Sequence, residues 1–415
     1  MAIALGIALE KEAKSDIFIF GELGLDGKIK ESGSIFPIVL ALAKEHIEVL
    51  APARSAEKLS KIPNVKVYGV STLKEAIEFF KEEKKEALPP EPLDFPYITV
   101  DGKKYYYTND FPLDFKDVKG QKGAVRAALI AAAGWHNILF EGSPGCGKSM
   151  IGKRLRYILP PMRLEEILES ARLKALEGKE IDFVPVRNFR MPHHSSTKAS
   201  IFGGGSSGAR PGEVAFANKG ILFFDELPHF QKGVLEALRE PLQERRVLIS
   251  RVNTKVEYEA DFLFVAAQNP CPCGNLLSEK RECRCSEVEI ARYKNRLSDP
   301  LLDRIELYVQ MGEVKSDDKP HTSSKELFEM VLRAYAKALK RQKKPNARLS
   351  EEEIERFCVL EPEAEDVLKR AIERFSLSFR AVDNIKKVAR TIADLAGEEQ
   401  IAKGHLLEAL SFRRR

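Results

Sequence analysis

The sequence predicts an α/β protein: a nucleotide-binding core on a parallel sheet, a helical C-terminal region, and a small α/β unit in front. Three observations carry this expectation. The run Gly142-Ser143-Pro144-Gly145-Cys146-Gly147-Lys148-Ser149 is a full G-x-x-x-x-G-K-[ST], placed behind the apolar stretch NILF and ahead of the helix-like MIGKRLRYIL. The apolar stretches NILFEG, GILFFDE and FLFVAAQN each end in polar residues, as strands buried on both faces do when their carboxyl ends hold a ligand. From about residue 323 the apolar residues recur at helical spacing to the end.

At 415 residues the chain has length for two or three domains, each with its own core. No apolar run approaches the roughly 20 residues needed to cross a bilayer. Nor does a basic stretch with a cleavage site follow Met1, so the expectation is a cytoplasmic protein with no membrane partner. The net charge of +5 is a small difference between 67 basic and 62 acidic residues, so local patches decide whether nucleic acid binds. Four of the six cysteines crowd into 271–285, which favours a local site over a disulfide framework.

Residues 1–82 alternate β-like runs (IFIFGEL, IEVLAP) with helical ones (PIVLALAKEH, STLKEAIEFFKEEKK), giving the small α/β unit. EALPPEPLDFP, with four prolines in eleven residues, sustains neither helix nor central strand and marks a linker over 83–110. The nucleotide-binding core is then expected over 111–312 and a helical lid over 313–415.

In the phosphate loop, Gly142, Gly145 and Gly147 let backbone N–H groups face the phosphates, with Ser143, Pro144 and Cys146 between them. Lys148 reaches the β/γ oxygens and Ser149 holds Mg2+. KGILFFDELPHF supplies a strand ending in Asp225, a second Mg2+ partner, and Glu226, placed to polarise the attacking water. FVAAQNP ends at Asn269, which can position that water. NRLSDPLLDRIEL offers Arg296 and Arg304; a guanidinium presented to a neighbouring subunit's γ-phosphate is worth about 10^3 to 10^5 in rate. The plain alternative for Arg304 is a salt bridge to Asp303 or Glu306. Arg380 opens a helix in SLSFRAVDNIKKVARTIADL, where its charge opposes the helix dipole and a bound anion would compensate.

In this order the elements resemble an AAA+ P-loop ATPase: phosphate loop, Asp-Glu strand, sensor asparagine, arginine finger Arg304, and a C-terminal sensor arginine, Arg380, acting in cis. DFKDVKGQKGAVRAALIAAAGWHNILFEGSPGCGKSM, MPHHSSTKASIFGGGSSGARPGEVAFANKGILFFDELPHF, NPCPCGN and LSDPLLDRIEL resemble more narrowly the Mg-chelatase-like ComM/YifB family, over most of the chain. That resemblance implies kinship with MCM helicases and the magnesium chelatase ATPase subunit. It also implies ATP and Mg2+ as cofactors and a hexameric ring of identical chains. DNA, single-stranded or branched, is the implied partner, moved by helicase or branch-migration activity in recombination or natural transformation. The alternative is a chelatase-type ATPase that remodels a partner protein, because the motor motifs are common to both. A non-hydrolysing switch has no use for Glu226 and Arg304.

HHSSTKASIFGGGSSGARPGEVAFANKG resembles the family's helix-2 insertion, with a flexible glycine-rich run at 203–208 flanked by Lys198 and Arg210. RRVLISRVNTKVEYEADF reads as a hairpin turning at 252–254 and carrying Arg245, Arg246, Arg251 and Lys255. Lining a ring, these cations would track phosphates without reading sequence; otherwise they are solvated strand charges. His193 and His194 have no acidic or cysteine neighbour in sequence and are assigned a structural or subunit-contact role. Cys271, Cys273, Cys283 and Cys285 can close a tetrahedral Zn2+ site, although C-x-C is tighter than the usual C-x2-C and leaves four reduced thiols as the alternative.

The segment FIFGELGLDGKIKESGSIFPIVLALAKEHIEVLAPARSAEKLSKIPNVKVYGV resembles a shortened, degenerate Lon-protease domain. The serine-bearing motif is missing and Phe36 stands where the catalytic lysine would be, so no base is present to activate a serine. Set against the usual size of a domain, the resemblance implies about a hundred further residues in family members ahead of this stretch.

Overall fold

The computed structural model describes the chain apart from residues 10–15, 44, 82–85, 205–209, 252–253 and 415, and apart from the side chains of 250, 251 and 254. It divides into two compact units, Met1–Pro96 with Arg163–Pro185, and Tyr97–Met162 with Val186–Arg415.

In the first unit Ile47–Pro52 is the middle strand of a parallel sheet, between Ile17–Ile19 and Val65–Val70. The strands are β-branched and apolar, and Val49, Leu50 and Val67 are fully buried. Sequence patterning places 163–185 in the core; in the structure they belong to this unit, where helix Leu164–Leu176 packs on helix Ile35–Leu42. Phe36 is buried, edge-to-face on Phe183 at 5.6 Å. Its position has become hydrophobic core, worth about 2 kcal/mol of burial or more.

The second unit begins inside the expected linker. Tyr97–Val100 and Lys103–Tyr106 form an antiparallel hairpin turned by Asp101 and Gly102, at φ 48° and 74°. An Asp-Gly pair between alternating apolar residues is a strong hairpin signal, masked here by the prolines before it. Val100 and Tyr105 pack on Tyr335 and Leu339 of helix Ser324–Gln342.

The core sheet is entirely parallel. Its strands run in the order Leu307–Met311, Ile138–Gly142, Leu263–Gln268, Ile221–Phe224, Phe189–Arg190. The loop strand and the sensor strand therefore lie side by side, with the Asp-Glu strand next to the sensor. Three motifs distant in sequence end at one sheet edge, where ligands of such sheets gather.

The expected boundary between core and lid at 312/313 is not a break in packing. One hydrophobic cluster runs from Phe115 through the alanine-rich helix Lys122–Gly134 and the core strands to Phe412. The lid helices Ser324–Gln342, Glu351–Phe357, Pro362–Phe375, Phe379–Ala396 and Lys403–Ser411 pack into it. Two of them start with Ser/Glu capping boxes, at Ser323/Glu326 and Ser350/Glu353. Buried beneath the lid, His136 meets Thr391 at 2.7 Å, and Asn346 donates to Thr391 and Asp394 at 3.0 and 2.8 Å. Gly134 leaves room for this network, since a Cβ there would lie 2.2 Å from the His136 ring.

Candidate functional site

The loop strand ends at Gly142, where a side chain would strike Cys146 at 2.7 Å and the Met311 carbonyl at 2.8 Å. Gly145 and Gly147 then take φ of 83° and 99°, values that only glycine adopts without strain. Helix Lys148–Leu155 starts immediately afterwards, so its free N–H groups and the positive end of its dipole face the loop. Gln121 braces the turn by donating to the carbonyls of Cys146 and Gly312, at 3.2 and 2.6 Å. No sequence motif marks Gln121, because its loop contacts exist only in the fold.

Lys148 donates to the carbonyls of Gly142 and Ser143 at 2.6 and 3.0 Å and to Asn269 Oδ1 at 3.1 Å. Burial pushes its ammonium below the ordinary lysine range, a cost that a bound phosphate would offset. Ser149 Oγ donates to Asp225 Oδ2 at 2.6 Å. A hydroxyl and a carboxylate side by side are the hard oxygen donors that suit Mg2+.

Glu226 takes φ 54°, an uncommon state for a residue other than glycine and one that clusters at functional sites. Its carboxylate lies 3.5 Å from Nδ1 of His194, whose ring lies tilted by 35° against His193 with centroids 4.1 Å apart. The acidic companion missing from the histidine pair's sequence neighbourhood is thus Glu226, brought there by the adjacency of the strands that carry each segment.

Arg304 and Arg380 stand together at a different place. Both line a cavity of about 890 Å³ with Arg245, Arg348 and Lys387; the phosphate loop, Asp225 and Asn269 are absent from its lining. Arg304 donates to the Pro300 carbonyl and to Gln243, not to the Asp303 or Glu306 expected as a plain salt bridge. Partial burial and then the Arg380 guanidinium disfavour its charge, strain that an anion would relieve. Arg380 sits in the first turn of the 18-residue helix Phe379–Ala396, behind the Ser378 cap. The structure groups Arg380, expected over its own phosphate loop, with Arg304. The dipole pattern indicates an anion at that helix start but carries no information on whose anion it is. Arg296 is exposed, outside that lining.

The expected hairpin is present, Arg246–Arg251 paired antiparallel with Thr254–Glu259. Val247 and Ile249 face inward and are buried, and Ile249 reaches Gly203 of the insertion. Alternation puts Arg246, Leu248, Lys255 and Glu257 on the outward face. Arg246 pairs with Glu257 at 3.3 Å, and Lys255 is exposed. Arg245, grouped by sequence with the hairpin cations, instead lines the cavity of Arg304. The Arg251 side chain and most of the glycine-rich run lie outside the described residues.

Cys271, Cys273, Cys283 and Cys285 converge, with all four sulfurs within 4.8 Å of one another. Cys146 and Cys358 are buried apart from them.

Among known proteins, residues 114–319 match the family model described as magnesium chelatase, subunit ChlI, and residues 321–413 match its C-terminal model. The competence protein ComM of Haemophilus influenzae is 37% identical over 425 residues, covering all of this chain and 82% of that protein. YifB of Salmonella typhimurium, an uncharacterized protein, is 41% identical over 72% of this chain and 60% of its own length. A Mycobacterium tuberculosis protein is 34% identical over 97% of this chain and 79% of its own length.

Proposed function

Because the chain belongs to the Mg-chelatase-like ComM/YifB family of AAA+ ATPases, we propose that it is a ring-forming motor that hydrolyses ATP to move along branched or single-stranded DNA, with helicase or branch-migration activity in recombination or transformation. The hydrolytic half rests on one observation, the convergence of Lys148, Ser149, Asp225 and Asn269 at the carboxyl ends of adjacent strands.

Lys148 exchanges its carbonyl partners for the β/γ phosphates, and the loop's N–H groups hold the remaining oxygens. Ser149 and Asp225 would hold Mg2+, which would supply neutralising charge to the phosphates. Glu226 accepts a proton from the attacking water and Asn269 orients that water. His194, at the start of the insertion, lies 3.5 Å from the Glu226 carboxylate, so a substrate that moves the insertion would change that contact. Arg304 and Arg380 together act on the nucleotide of a neighbouring copy in a hexameric ring, a reading supported by their shared cavity away from the phosphate loop. Lys255, on the hairpin's outward face, would line the ring's channel and its DNA.

One observation favours the second reading, a chelatase-type motor working on a partner protein: Glu257 and Glu259 share the hairpin's outward face and the first pairs with Arg246. Steady-state ATP hydrolysis, followed as four-way-junction DNA is titrated in at low salt with Lys148→Ala as the blank, separates the two. Several-fold stimulation that fades with salt supports the DNA motor. Hydrolysis indifferent to DNA supports the protein substrate.

A further inference from the structure

We infer that Cys271, Cys273, Cys283 and Cys285 form a structural Zn2+ site that clamps the sensor loop against the phosphate loop, so that zinc occupancy sets the rate of the motor. The half concerning rate rests on the ATPase assignment; the half concerning the metal does not.

The sulfur positions carry the site. Cys271 and Cys273 are 3.4 Å apart, and each is 3.7 Å from Cys283. Four thiolates at about 2.3 Å from a central zinc stand about 3.8 Å from one another, the edge of that tetrahedron. A disulfide would bring two of them to about 2.05 Å and leave the others out. The tight C-x-C spacing therefore does not prevent a tetrahedral set. Four soft sulfur ligands select zinc over Mg2+ or Ca2+, and a closed set of four cysteines leaves no position for substrate, so the ion is structural.

The mechanical link is equally local. Cys271 lies two residues after Asn269, the residue that contacts Lys148. Gly274, at φ 80°, brings its backbone onto the phosphate loop so closely that a Cβ would lie 2.6 Å from Pro144 Cδ. Ser278 is tied to Glu313, two residues beyond the strand Leu307–Met311. Between Pro270 and Ser286 the chain forms neither helix nor strand. With so little regular structure, a metal joining the two ends of this loop is the main restraint on its shape, and through Asn269 and Pro144 on both walls of the γ-phosphate position.

The test uses the whole chain, expressed with zinc supplied and purified without a metal-affinity tag. Elemental analysis is expected to give close to one zinc per chain, and Co2+ substitution the ligand-field bands of a tetrahedral thiolate site. Cys273→Ser with Cys283→Ser removes the metal and lowers kcat at least about tenfold. Reversible extraction of zinc from the unaltered chain, with recovery of kcat on its return, covers the case in which that variant fails to fold. Lys148→Ala keeps its zinc while losing hydrolysis; zinc in an unaltered chain without ATP turnover would sink the ATPase assignment and leave the metal site standing. A chain that hydrolyses ATP without zinc and shows no cobalt bands overturns the site. Zinc that can be removed and returned with kcat unchanged overturns the clamp.

Discussion

Glu226 carries two constraints at once, a left-handed backbone and an imidazole 3.5 Å from its carboxylate. If that carboxylate is the base, Glu226→Gln keeps its shape and ATP affinity while turnover falls by about 10^2 or more, measured as kcat beside the affinity for a non-hydrolysable analogue. A second residue sets a pH dependence. Burial, then the charges of Lys387 and Arg348, hold His136 at about 3, below its ordinary 6.5. The folded state thus favours neutral imidazole, so its contribution is whole above about pH 6.5 and drains as pH falls towards 3. The wild-type melting temperature should drop more steeply from about pH 7 to about pH 5 than that of His136→Gln, which retains a partner for Thr391. Equal slopes would contradict this. Despite its burial, Asp261 is held well below the ordinary carboxylate range by Arg348 and Lys219, so its loss falls in a more acidic window. Lys148, Ser149 and Asp225 are legible in the sequence because each motif is contiguous and ends its own strand. His194 and Arg245 are not, because their partners lie far along the chain and only the fold brings them together.

At the scale of elements, hairpins and strands follow from alternation, and the paired strands at 246–251 and 254–259 stand where RRVLIS and KVEYE predict them. The hairpin at 97–106 is hidden in the sequence because its Asp-Gly turn follows a proline-rich stretch whose signal dominates the window. Helix Leu164–Leu176 falls in a different unit from the one its position in the chain suggests, because periodicity reports that a face is buried without saying against what. The hairpin also carries a prediction. Lys255→Glu should weaken DNA binding about equally for all sequences and lower the salt slope by about one or more, read by fluorescence anisotropy at several salt concentrations. An unchanged slope would take the hairpin off the DNA.

At the scale of the whole molecule, Arg304 and Arg380 share a cavity whose lining holds no phosphate-loop residue, and if they serve a neighbouring copy's nucleotide a single chain is incomplete as an enzyme. Lys148→Ala and Arg304→Ala should each be nearly silent alone, the second by about 10^3 in kcat. Mixed in equal amounts in a ring, they place an intact loop opposite an intact arginine at about a quarter of the interfaces, and hydrolysis returns in that proportion. No recovery on mixing would mean that the arginine serves its own subunit.

The most direct measurement follows a fluorescent four-way junction through branch migration by the whole chain with ATP and Mg2+. Conversion to product that needs ATP and vanishes in Lys148→Ala is the expected result. Vigorous ATP hydrolysis with the junction neither bound nor moved at low salt would contradict a DNA motor and point to a protein substrate.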